Sequence, residues 1–161
     1  MESARVLLVD GYNILHAWGW LSARDSTPAA LEIARGRLIE AVRPLHDVDR
    51  YDVSIVFDGR SANATIDPAS QEPGFRVVFA PAGRTADSVI EATVAASPDP
   101  QSCTVATADG LERETVSATG ASCVSPEDLQ AWCARSRTRA TQAAARSAQR
   151  PGTAWGNKLP L

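Results

Sequence analysis

With 161 residues, 44% of them apolar and 22% charged, the chain is long enough for one domain around a buried core, and no apolar run approaches the roughly 20 residues that span a bilayer. Met1-Glu2-Ser3 and the short apolar run behind it do not make a secretion signal, and three cysteines without a C-x-x-C pair suit neither a disulfide framework nor a structural zinc site, so a cytoplasmic location and no membrane partner are expected. The net charge of −3 conceals an asymmetry: residues 1–134 carry 10 basic and 19 acidic side chains, whereas residues 135–161 carry 6 basic ones and no acid.

The first element is Val6-Leu7-Leu8-Val9-Asp10, followed by Gly11. A short apolar run without polar alternation suits a strand buried on both faces of a parallel sheet. Its carboxyl end is where open α/β sheets bind ligands, which makes Asp10 the first functional candidate. Asp10 is equally suited to capping a helix that starts at Gly11 or Tyr12. Asn13 is an ordinary helix-start residue whose amide could also orient a water or a phosphate oxygen. Ile14 to Leu21 reads as a short helix or turn carrying Trp18 and Trp20. Thr27 then caps and Pro28 opens an amphipathic helix to about His46, with Leu31, Ala34, Leu38, Ala41, Val42 and Leu45 on its apolar face.

A second strand, Tyr51 to Gly59, repeats the Asp-Gly ending at Asp58. Arg60 to Gly74 reads as a loop, and Phe75 to Ala80 as a third strand nearer an edge, because Arg76 interrupts its apolar run. Thr85 caps the next helix, which places Asp87 in its first turn and Glu91 one turn on, on the same face. A fourth strand from Ser102 again runs into Asp-Gly at Asp109. A helix from Leu111 stops at Gly120, and Ala121 to Val124 is a short fifth strand. Ser125 caps and Pro126 opens a last helix that continues through Trp132 into the Ala- and Arg-rich stretch toward Ala148. The expected organisation is a domain over residues 1–134 and a basic helical extension with a tail over 135–161, where Trp155, Leu159 and Leu161 could dock.

Alternating strands and helices predict a parallel sheet with helices on both faces, and right-handed crossovers bring every strand-to-helix turn to one edge. Asp10, Asp58, Asp87 and Asp109 are expected there. One such carboxylate is a cap, but four together repel one another unless a cation neutralises them. Oxygen ligands favour Mg²⁺ or Mn²⁺ over zinc, and His16 and His46 lack the spacing of zinc ligands. A metal held this way serves phosphodiester hydrolysis without a nucleophilic Ser or Cys. Arg60 and Arg84 follow two of the carboxylate turns and could hold phosphates. Arg135, Arg137 and Arg139 on the basic arm could follow an RNA backbone, although arginines on an exposed helix also make a plain solvated face. No glycine-rich nucleotide-binding motif is present. A haloacid-dehalogenase-type phosphatase needs an acid where Tyr12 stands.

Leu8-Val9-Asp10-Gly11-Tyr12-Asn13, Val56-Phe57-Asp58, Thr85-Ala86-Asp87 with Ile90-Glu91, and Val105-Ala106-Thr107-Ala108-Asp109 together resemble, in order and spacing, the NYN domain of the YacP-like group. That group lies in the PIN-like nuclease superfamily and includes a ribosome-associated endoribonuclease that cleaves mRNA. The resemblance spans roughly Val6 to Ala134; Asp58-Gly59-Arg60 and the short tail depart from the pattern. It implies a three-layer α/β/α sandwich and a Mg²⁺- or Mn²⁺-dependent endoribonuclease with its acidic site at Asp10, Asp87 and Asp109, supported by Asp58, Glu91 and Asn13. RNA is the implied partner, with the ribosome and a second copy of the chain as further candidates. The competing expectation is an RNA- or ribosome-binding module without catalysis.

Overall fold

The computed structural model describes residues 4–25, 27–59, 65–66 and 72–149. Its strands are β1 Val6–Asp10, β2 Asp52–Phe57, β3 Thr65–Ile66, β4 Phe75–Phe79, β5 Cys103–Ala106 and β6 Ser122–Val124. They form one sheet in the order β3-β4-β2-β1-β5-β6, parallel except for the two-residue β3, which runs antiparallel along the outer side of β4. The expected α/β architecture with a mainly parallel sheet is therefore present, and the apolar β1 occupies its centre. β3 lies within the stretch expected to be loop, since two residues are too few to show a period.

The helices are α1 Gly11–Ala17, α2 Pro28–Asp47, α3 Ala86–Ala96, α4 Gly110–Ala118 and α5 Pro126–Ala148. Three start where a local capping signal says they should. The side chains of Thr27, Thr85 and Ser125 accept from the backbone N–H groups of Ala30, Ser88 and Asp128, satisfying donors that a helix start leaves open. α5 crosses residue 135 without a break.

Side-chain alternation along β1 divides the core between two layers. Leu7 and Val9 pack with Leu38, Val42, Leu45 and Leu129 from α2 and α5, while Leu8 packs with Ile90, Val94 and Val116 from α3 and α4. The three cysteines are free thiols, and burial pushes Cys133 up to about 12, which keeps it inert.

Chain order fixes where a ligand can enter. From β1 the chain proceeds to β2 and β4 on one side, then crosses by α3 to β5 on the other. Such a reversal opens a crevice at the carboxyl ends of the two strands, here β1 and β5. The Asp-Gly endings are not equivalent there. A Cβ on Gly11 would lie 2.3 Å from the ring of the buried Phe57, whereas one on Gly110 would meet nothing within 4 Å. Both glycines open a helix behind an aspartate, so their local propensities match. Gly11→Ala should destabilise the protein by about 1–3 kcal/mol through overpacking. Gly110→Ala should be neutral or stabilising by up to about 1 kcal/mol. Urea unfolding of the two variants side by side checks this, and equal effects would show that the Phe57 contact does not set the requirement.

Candidate acidic active site

Asp10, Asn13, Asp58, Asp87 and Asp109 line one cleft of about 530 Å³ at the carboxyl edge of the sheet. Each arrives by a different route. Asp10 is the last residue of β1 and occupies the N-cap position of α1, yet its side chain makes no capping hydrogen bond. Asp58 follows β2, and its Oδ1 accepts from the Ala86 N–H at 2.7 Å, at the start of α3. Asp87 Oδ1 accepts from the Ser88 N–H at 2.9 Å and from the Thr85 hydroxyl. Asp109 caps α4 by accepting from the Leu111 N–H at 3.0 Å. The capping explanation thus covers Asp58, Asp87 and Asp109 in part and fails for Asp10.

Asp109 does not end its strand, as the sequence pattern implied. β5 stops at Ala106, three residues earlier. The Ala108 N–H donates to Asn13 Oδ1 at 2.7 Å instead of continuing the ladder, and the Thr107 hydroxyl, which receives the Asp109 N–H at 3.0 Å, lies 3.3 Å from the same oxygen. Asn13 therefore ties α1 to the turn that carries Asp109.

Sequence reasoning missed Glu112. It lies in the first turn of α4, where an acid is ordinary, but it is only 1% exposed, and neither carboxylate oxygen has a well-formed hydrogen bond among the described residues. Its neighbour is Asp10, itself 8% exposed. Burial pushes Glu112 up to about 8, with the Thr107 hydroxyl offsetting part of that and the charge of Asp10 adding to it. Burial likewise raises Asp10 to about 6; the adjacent Glu112 carboxyl works against the rise, and the charges of Asp58, Asp87 and Asp109 add to it. Burial thus favours the neutral form of both acids, more strongly for Glu112 than for Asp10.

The remaining expected residues fall elsewhere. Glu91 lies one turn along α3 from Asp87 and does not line the cleft. Arg84 is exposed and donates to the Ser88 carbonyl at 3.3 Å. Arg60 and the tail residues Trp155, Leu159 and Leu161 lie outside the described residues. Arg135 and Arg139 face a groove at the other end of the sheet, and Arg137 a separate shallow pocket beside Trp20.

Among the described residues, the one group of three potential ligand atoms within 4.8 Å of one another is His46, Asp47 and Glu72, away from the cleft. Glu72 there pairs with Arg43 at 2.7 Å, and His46 Nδ1 lies 2.8 Å from the Tyr51 carbonyl oxygen. That group is held by ordinary ion pairing and packing. The cleft carboxylates stand further apart, but they surround a buried acid pair whose charge no basic side chain among the described residues offsets, and their hard oxygen donors fit a divalent cation.

The family model described as the YacP-like NYN domain matches residues 7–160. The crystal structure of Rae1 (YacP) from Bacillus subtilis superposes with a TM-score of 0.71 at 26% identity, covering 95% of this chain and 86% of that one. A point mutant of the same protein gives 0.69 at 26% identity, over 89% and 84%. No curated protein matches the chain in sequence.

A raised carboxyl pKa means that folding favours the neutral acid. The Glu112 contribution is fully present below its ordinary value of 4.5 and is lost as pH rises through about 8. In EDTA, the thermal midpoint should therefore fall between pH 5 and 8.5. Glu112→Gln should flatten that fall and melt higher than the parent at pH 8.5, by about 2–4 °C per kcal/mol recovered. Identical pH slopes for the two proteins would remove Glu112 as the source.

Proposed function

The chain belongs to the YacP-like NYN domain family, a PIN-like nuclease group, and from that premise we propose that it is a Mg²⁺- or Mn²⁺-dependent endoribonuclease acting at the cleft between β1 and β5. The observation that carries this reading is the buried Asp10–Glu112 pair facing three further carboxylates at the topological switch point. Burying two acids side by side costs several kcal/mol, which a fold without a use for them avoids by placing apolar residues there.

Asp10, Asp87 and Asp109 are the residues assigned to hold the cation, with Asp58 on the flank toward α3. The chemistry a bound cation supplies is neutralisation of charge on the phosphoryl group and a more acidic water. Glu112, buried beside Asp10 and favoured in its neutral form, adds no second charge next to that carboxylate. Asn13 holds the turn that presents Asp109. Messenger RNA is the proposed substrate, and the translating ribosome is the proposed setting. A purely RNA-binding role would make no use of the Asp10–Glu112 pair.

Purified protein incubated with mRNA and structured RNA in Mn²⁺, Mg²⁺ or EDTA, with and without translating ribosomes, tests the reading. Cleavage should appear only with metal and fall at least about 100-fold in Asp10→Asn, while RNA binding persists. Cutting that survives EDTA, or that Asp10→Asn leaves unchanged, would refute it.

A further inference from the structure

At the edge of the sheet opposite the acidic cleft lies a groove of about 900 Å³. It is bounded by Arg5 before β1, by Arg50 and Tyr51 before β2, and by Trp132, Arg135 and Arg139 on α5. About 16 Å of extended β1 separates Arg5 from Asp10, so the groove and the cleft are distinct sites. Its four guanidinium groups face one carboxylate. Asp49 accepts from Arg139 at 2.7 Å, from the Ser136 hydroxyl at 2.9 Å and from the Trp132 indole N–H, which uses it up in docking α5. Arg5 donates to the Asp49 carbonyl at 2.7 Å and lies 4.5 Å over the Tyr51 ring, so its position is set while its charge stays uncompensated. Arg50 and Arg135 are exposed and form no ion pair with any described residue.

Arg50 also departs from backbone preference. Its φ of 63° makes it the one non-glycine described residue in the left-handed region. Glycine or asparagine would occupy that turn at lower cost. An arginine there is consistent with a use for its charge.

We infer that this groove binds the phosphate backbone of single-stranded RNA, remote from the acidic cleft. The surplus of guanidinium groups over one engaged carboxylate is complementary to closely spaced phosphates, which arginines contact without regard to sequence. That the polyanion is RNA rests on the nuclease reading above. RNA held at the basic edge would be anchored independently of the metal, leaving the acidic edge to act on a neighbouring stretch of chain.

The test is a titration of labelled oligouridylate in EDTA, where cleavage plays no part, repeated across a range of salt concentrations. Arg50→Asn with Arg135→Gln should lower the slope of log K against log salt by about 1.4, at ~0.7 per phosphate contact on single strands. Asn accepts the left-handed backbone, so the double variant should melt with the parent. Asp10→Asn, and Arg76→Gln with Arg146→Gln, which remove the same charge elsewhere, should leave the slope unchanged. An unchanged slope in the groove variant, or an equal drop in the Arg76/Arg146 control, overturns the proposal. Competition by polyglutamate as effective as that by unlabelled RNA would assign the groove to an acidic protein instead. Because binding is read without metal, a failed cleavage assay and a failed groove remain separate results.

Discussion

Two carboxyl groups buried side by side at the end of the central strand are the constraint around which this fold closes. Asp10 leaves β1 flanked by β2 and β5, and α4 brings Glu112 down against it. Glu112 is shut off from water and Asp10 reaches it only at the cleft wall, and an ion in such a place is costly unless a proton or a cation compensates it. The surrounding structure holds the arrangement firmly. Phe57 packs where any side chain on Gly11 would go, and Asn13 captures the backbone of the turn leading to Asp109. The edge therefore carries charge on rigid elements, which is what positioning chemistry requires.

The sheet is polarised between its ends. Its carboxyl edge gathers Asp10, Asp58, Asp87 and Asp109; its amino edge gathers Arg5, Arg50, Arg135 and Arg139. Parallel strands produce this segregation directly. Residues that precede strands collect at one edge and residues that follow them at the other, so a consistent bias in each kind of connection becomes a field along the strand direction. α5 completes the basic edge, because Asp49 holds its Trp132, Ser136 and Arg139 face against the turn before β2. The helix is thereby part of the basic edge as well as an arm beyond it.

Much of the fold was legible because its signals are local. Thr27-Pro28, Thr85 and Ser125-Pro126 announce helix starts through donors satisfied within one turn, and the uninterrupted apolar run of β1 announces a strand covered on both faces. Asp10, Asp58 and Asp87 could be placed at one edge because topology alone puts them there. Asp109 lies at the same edge although its strand stops three residues short of it, since the Ala108 N–H is taken by the Asn13 side chain and no propensity reports that bond. Glu91 shares a helix face with Asp87 but stays out of the cleft, because a full turn carries it along the axis away from the edge.

The order of elements, the polarity of the sheet and the gathering of strand-end acids are encoded locally, since each follows from periodicity, caps and crossover handedness. Which acid is buried with Asp10, and which arginines lie together, depends on how distant segments pack. Glu112 reads as an ordinary first-turn residue until α4 packs across the end of β1. Arg5 and Arg50 read as isolated surface charges until α5 brings Arg135 and Arg139 beside them. Burial and charge proximity depend on contacts between segments far apart in the chain, and no local pattern encodes them.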